Sequence, residues 1–285
     1  MKQYACPVQS FIWSITVATA LIVPARAAVN DPFPAGFSMN TLGAVIDTKG
    51  PTGRQPWIGA AFCDDPGRFG AAFAANSYYT SLTDPDMYRA LVGAWYHCRG
   101  FVAKTAISHF SALGIYFEDC GFLSIGSRHL RFCTLSAELT GTRMRCAGAP
   151  LSYALAEAGL STWVPWSWAG ISIRLDHLPL SRPDVDGSES SPSIRTGIHT
   201  VHNRFGSQGA LVSITPDDQR PVCFTLGEAY QITPSVAFTF AIANNPVLIG
   251  FGISVARRQS GMAVGLANHP KLGWSQGVAA EYAGK

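Results

Sequence analysis

Cysteine and histidine have the widest chemical reach in this chain, and their spacing decides what they can do. After Cys6 the chain carries Cys63, Cys98, Cys120, Cys133, Cys146 and Cys223. Pairs with the C-x-x-C spacing of a structural metal site are missing, which argues against zinc. In an oxidising compartment these six cysteines would form disulfides, their connectivity open, with Cys120 and Cys133, or Cys133 and Cys146, as candidates to bridge a hairpin. His199 and His202 would face opposite sides of a strand, so they cannot chelate one ion together and read as polar rim or interior residues. Asp184-Val185-Asp186-Gly187-Ser188-Glu189 opens like a calcium loop, but Arg195 stands where the bidentate Glu should be, so a solvated loop is expected. Asp84-Pro85-Asp86 reads as a turn. The chain has neither G-x-S-x-G nor H-E-x-x-H. No catalytic, cofactor-binding or metal-ligating residue is assigned, no cofactor is expected, and the chain is expected not to be an enzyme. A hydrolase assembling Ser and His from separate strands would leave no signature in spacing, and stays as a third reading.

The elements that position these residues announce themselves by a period of two. Val247, Ile249, Phe251, Ile253 and Val255 alternate with Leu248, Gly250, Gly252, Ser254 and Ala256, and a strand puts the two sets on opposite faces. The segments around Phe238 and Phe240, Val264 and Leu266, and Trp274 to Tyr282 alternate in the same way, separated by Asn244-Asn245-Pro246, Arg257 to Ser260 and His269 to Leu272. That is an antiparallel meander. Weaker alternation marks Phe69 to Ala75, Arg89 to His97, Phe101 to Phe110, Ala112 to Phe117, Arg128 to Thr140, Trp166 to Asp176, Ile194 to Asn203, Gln208 to Thr215 and Val222 to Glu228. Leu151 to Gly159 suits helix or strand. About twelve to fourteen strands follow.

Composition bounds the rest. The 285 residues are 47% hydrophobic and 14% charged, so a disordered chain is excluded. Mean hydropathy is only +0.15, without a long apolar run after the N-terminus, so membrane-spanning helices are excluded. Twenty-one basic against eighteen acidic residues, with no basic stripe, gives no case for nucleic acid. Residues 1–27 have the parts of a signal peptide: Lys2, the apolar run Phe11 to Val23, and Ala25-x-Ala27 for cleavage. Residues 28–50 read as an irregular segment and 51–285 as one β domain.

An exported all-β chain is a transmembrane barrel or a soluble sandwich. In the last strands bulky apolar side chains alternate with Gly, Ala and Ser, not with the Lys, Glu and Thr of a wetted sandwich face. Val247, Ile249, Phe251, Ile253 and Val255 are therefore the candidate lipid-facing residues. Aromatics recur at segment ends, Trp166, Trp168, Trp274 and Tyr282 foremost, with Trp57, Trp95, Tyr96, Trp163 and Tyr230, as interface girdles would. If Tyr282 ends the last strand on the periplasmic side, alternation places Arg257 to Ser260 in the periplasm and the long polar loop His177 to Ser193 outside. The expected fold is all-β: an antiparallel up-and-down transmembrane β-barrel.

The C-terminal third, GEAYQITPSVAFTFAIANNPVLIGFGISV followed by NHPKLGWSQGVAAEY, resembles the end of small bacterial outer-membrane barrels of the fatty-acid-transporter and PorV/PorQ-like group. The likeness lies in the strand with Gly250 and Gly252, the turn His269-Pro270-x-Leu272-Gly273, and the closing segment Ser275-x-Gly277-x-x-Ala280-x-Tyr282. It covers about sixty residues, and the chain departs from it by running on through Lys285. The resemblance implies an outer-membrane location, with lipid and the barrel-assembly machinery as partners, and transfers no activity. Small residues on the inner face leave lumen volume, so the expected role is passage of a small solute, an apolar one included, or a place in an envelope assembly. The alternative is a secreted, disulfide-bonded β-sandwich for binding or adhesion.

Overall fold

The computed structural model describes residues 68–284 apart from 79–86, 99, 128–132, 149–151, 166–168, 181–191, 203–205, 215–221, 234, 245–246, 258 and 270–272. The expectations for the leader, the segment 28–50, Trp57, Cys63, Trp166, Trp168, Asp84 to Asp86 and Asp184 to Glu189 lie outside these residues, as do those for the side chains of His199, His202, Cys223 and Val247.

Fourteen strands run in chain order: β1 Phe69–Ser77, β2 Met87–Cys98, β3 Phe101–Ala112, β4 Tyr116–Ser127, β5 Thr134–Cys146, β6 Ser152–Pro165, β7 Ala169–Pro179, β8 Ser193–His202, β9 Gly206–Ile214, β10 Cys223–Thr233, β11 Val236–Asn244, β12 Val247–Arg257, β13 Ser260–His269 and β14 Gly273–Gly284. Each pairs antiparallel with its sequence neighbour, and β1 closes on β14 from Phe69↔Gly284 to Ser77↔Gln276. Closure leaves no strand edge unpaired, the condition for a sheet surrounded by hydrocarbon. The sandwich alternative is thereby excluded.

Several boundaries differ from the sequence reading. Ala112 to Phe117 is not one strand: Ala112 ends β3, Tyr116 and Phe117 begin β4, and the three residues between them turn. Leu113 and Gly114 adopt φ of 54° and 65°, and Ile115 N–H donates back to Ala112 O at 3.0 Å, so this stretch is the turn between β3 and β4. The alternation misleads because the turn itself carries Leu113 and Ile115. The ambiguous Leu151 to Gly159 lies mostly in β6, and β7 continues through Pro179, taking His177 into the sheet. A register shift between Ala158 and Leu160 marks where β7 bulges against β6.

The two faces separate by side-chain size and polarity. Outward, Val92, Ile107, Leu123, Leu139, Val264 and Val278 are 44–63% exposed. Inward, β1 to β4 bury Ala74, Leu91, Trp95, Ala106, Cys120 and Phe122 as a core inside the barrel. Phe251, Ile253 and Val255 are exposed on the outer face, and Phe251 packs on Phe240 across the strand pair with centroids 5.3 Å apart. Trp274 and Tyr282, at opposite ends of β14, are 47% and 50% exposed, and Tyr96, Phe101 and Tyr88 add to the two rims. Trp95 and Trp163 do not belong to those rims. Both are buried inward, because Gly70 and Gly170 open the space that each indole fills; a Cβ at either glycine would overlap the ring.

Cys98, Cys120, Cys133 and Cys146 are free thiols, so the bridges Cys120–Cys133 and Cys133–Cys146 are not formed. The reason is placement. Cys120 points into the lumen, Cys133 precedes β5, and Cys146 ends β5 at the far end of the barrel.

Candidate functional site: the barrel lumen

The lumen has two unlike walls. On β1 and β11 to β14 the inward positions are almost all small: Ala72 and Ala74, Ala237 and Ala241, Gly252 and Ser254, Ala263 and Ala267, Ser275 and Ala279. On β2 to β8 the alternation delivers charges instead. Arg89, Lys104, Glu118, Glu138, Glu157 and Asp176 are all buried on the inner face, with Arg174 and Arg195 beside them. Ionised side chains tolerate burial only when paired and hydrogen-bonded.

Two networks provide that pairing for Arg89, Glu118, Glu138, Arg174, Asp176 and Arg195. In the first, Arg89 Nη2 donates to Glu118 Oε1 at 3.1 Å, with both side chains nearly inaccessible, 3% and 6%. Tyr116 O–H donates to the other carboxylate oxygen at 3.2 Å. The Arg89 guanidinium lies over the Phe110 ring, 4.9 Å from its centroid, and Phe110 meets Tyr78 and Tyr116 edge-on at 6.0 and 6.1 Å. Cys120 Sγ closes the group, 3.1 Å from Thr142 Oγ1. In the second network Glu138 accepts from Arg174 Nη2 at 2.8 Å and from Ser161 Oγ at 2.7 Å. Asp176 then joins Arg174 to Arg195, whose Nε is 3.1 Å from it. On β2 to β8 the described inward charges are four cations, Arg89, Lys104, Arg174 and Arg195, against four anions, Glu118, Glu138, Glu157 and Asp176. That wall is polar but electrically balanced, and it faces a wall of mostly small side chains.

This arrangement can sort solutes by charge and polarity. On the inner face the cross-strand neighbours of Ser108, Ser124 and Cys120 among the described residues are Leu91, Lys104, Glu138 and Thr142, with Ser108 and Cys120 opposite each other. Among the described residues no group of three His, Cys, Asp or Glu side chains could hold a metal ion. The sequence reading found the small-residue wall but missed the charged one. Its signal was available: Lys104 between Ala103 and Thr105, and Glu138 between Ala137 and Leu139, are single charges on the face opposite the apolar positions.

No family model and no curated sequence matches the chain. Solved structures do. The Pseudomonas putida toluene transporter TodX superposes with a TM-score of 0.59 at 7% identity, covering 80% of this chain and 92% of that one. A deletion mutant of TodX, described as a monoaromatic hydrocarbon channel, gives 0.55 at 9% identity, covering 82% and 94%. The Acinetobacter baumannii outer membrane protein Omp33 gives 0.51 at 7% identity, covering 76% and 98%. The chain thus has the fold of an outer-membrane β-barrel, closed, antiparallel and up-and-down.

Proposed function

We propose that this protein is a channel of the bacterial outer membrane that passes small neutral or apolar solutes. The carrying observation is the lumen: the inward pairs Arg89–Glu118, Arg174–Glu138 and Arg195–Asp176 at 2.8–3.1 Å, opposite a wall of mostly Gly, Ala and Ser. Charges paired with one another attract ions weakly, while a wall of mostly small side chains leaves a slender solute an open path. Solved barrels of like fold described as a toluene transporter and a monoaromatic hydrocarbon channel support an apolar solute. The exposed apolar belt around Phe251, Ile253 and Val255, which extends by alternation to Ile249 and Val247, would face lipid. Residues 1–27 would direct export, and the barrel-assembly machinery would insert the chain. Proteoliposomes test the reading. Uptake of a monoaromatic probe should exceed that of protein-free liposomes, with little cation or anion selectivity in planar bilayers. A barrel that seals against every solute would overturn channel function and leave a structural role in the envelope.

A further inference from the structure

The outward face of β3 to β5 departs from the apolar belt at one place. His109, Phe117, Asp119, Arg143 and Arg145 face outward near the ends of these strands, on the side of the barrel that carries the long connections. Asp119 holds the group together: His109 Nδ1 is 2.7 Å from one carboxylate oxygen, and Arg145 Nη2 donates to the other at 2.7 Å. The Arg145 guanidinium lies 5.8 Å from the Phe117 centroid, and the His109 ring stacks on the same side chain at 6.4 Å. Arg143 is exposed and sits directly across the strand pair from Asp119. Three basic side chains therefore surround one carboxylate, and the ones that it orients are still 40–44% accessible.

Immediately below, the row Ile107, Gly121, Gly141 crosses the same face, with Gly121 opposite Gly141. A Cβ on either glycine would meet nothing within 4 Å. The wall is thus indented between Ile107, Leu123 and Leu139, all exposed. Asp119 is three residues inside the end of β4, about 8 Å from that end along the barrel axis for a tilted strand.

We infer that this face binds one phosphate-bearing lipid of the outer leaflet, its phosphate on Arg143 and Arg145 and one acyl chain in the Gly121–Gly141 notch. The inference rests on the membrane reading above. The Arg145 guanidinium, fixed by Asp119, is preorganised for phosphate, so less of its side-chain entropy is lost on binding, and Arg143 stands beside it on the same face. The notch would add specificity, since a chain lying there removes apolar surface that free phosphate cannot cover.

Native mass spectrometry of the full-length barrel in detergent, with heat-modifiable gel migration as the check on folding, tests the site. The probes are diphosphoryl lipid A, the same lipid without phosphates, and inorganic phosphate. Retention should follow the first, weaken about tenfold in Arg143→Gln/Arg145→Gln, and weaken in Gly121→Leu/Gly141→Leu, but be unchanged in Arg257→Gln on the opposite rim. Equal retention of the dephosphorylated lipid, competition by inorganic phosphate alone, or an equal loss in Arg257→Gln would overturn the proposal. A folded barrel that passes solute yet retains no lipid A would sink this inference and leave the channel intact.

Discussion

Arg89 reaches Glu118 across an intervening strand: the two lie on β2 and β4, the Phe110 ring of β3 fills the space beneath the guanidinium, and the charged atoms are 3.1 Å apart. Glu138 and Arg174 repeat the arrangement from β5 to β7 over β6. Such struts lock three strands at once. With both side chains almost fully buried, Arg89→Ala leaves Glu118 ionised without its guanidinium, and the cost should approach about 3 kcal/mol. Replacing both by Met and Leu removes charge and partner together and should cost less. Urea midpoints of the refolded barrel measure this, and an unchanged midpoint for Arg89→Ala would refute the strut.

The outer belt makes an opposite demand. Phe251 is exposed and packs on Phe240, whereas Ser254 is 9% exposed on the inner wall between small neighbours. Phe251→Arg should therefore cost about 2–4 kcal/mol if its position is near the bilayer midplane. Ser254→Arg should be milder, because a lumen accepts a charge that can reach water. Assembled yield in outer-membrane fractions separates the two. Equal losses would contradict the facing of β12.

How far the sequence could be read depended on what stood on the inner face. In β11 to β14 the inward residues are Gly, Ala and Ser, so the period of two is loud and those strands were found at nearly their true limits. In β2 to β4 the inner face carries Leu91, Trp95, Phe110 and Phe122, as bulky as the lipid side, and the alternation fades. The same effect misplaced Trp95 and Trp163, since position near a segment end does not say which face an indole takes. The ion pairs were illegible for another reason. Arg89 and Glu118 are 29 residues apart, and Arg174 and Glu138 are 36 apart. Their meeting is a product of register across a third strand.

Close packing on glycine yields a sharper test than any charge. The Trp163 indole lies where a Cβ on Gly170 would stand, and the three atoms nearest to that point all belong to this one ring. Gly170→Ala should destabilise the barrel by about 1–3 kcal/mol through overpacking. Trp163→Leu should relieve part of that loss, so the double variant should be more stable than the sum of the two singles predicts. Strict additivity would mean that the indole does not rest on Gly170.

Native thiols can read the orientation of the barrel in the membrane. Odd-to-even connections, such as 180–192 between β7 and β8, lie at one end, and even-to-odd connections, none longer than 128–133, lie at the other. Barrels keep their short turns in the periplasm. Cys146 ends β5 on the long-loop side, Cys98 ends β2 on the short-turn side, and both thiols are exposed. In a cysteine-free background that restores one thiol at a time, a membrane-impermeant maleimide should label Cys146 on intact cells. It should label Cys98 only after the outer membrane is opened. Labelling of Cys98 alone on intact cells would invert the topology. Equal labelling of both would contradict a membrane-spanning barrel, because the two thiols would then share one compartment.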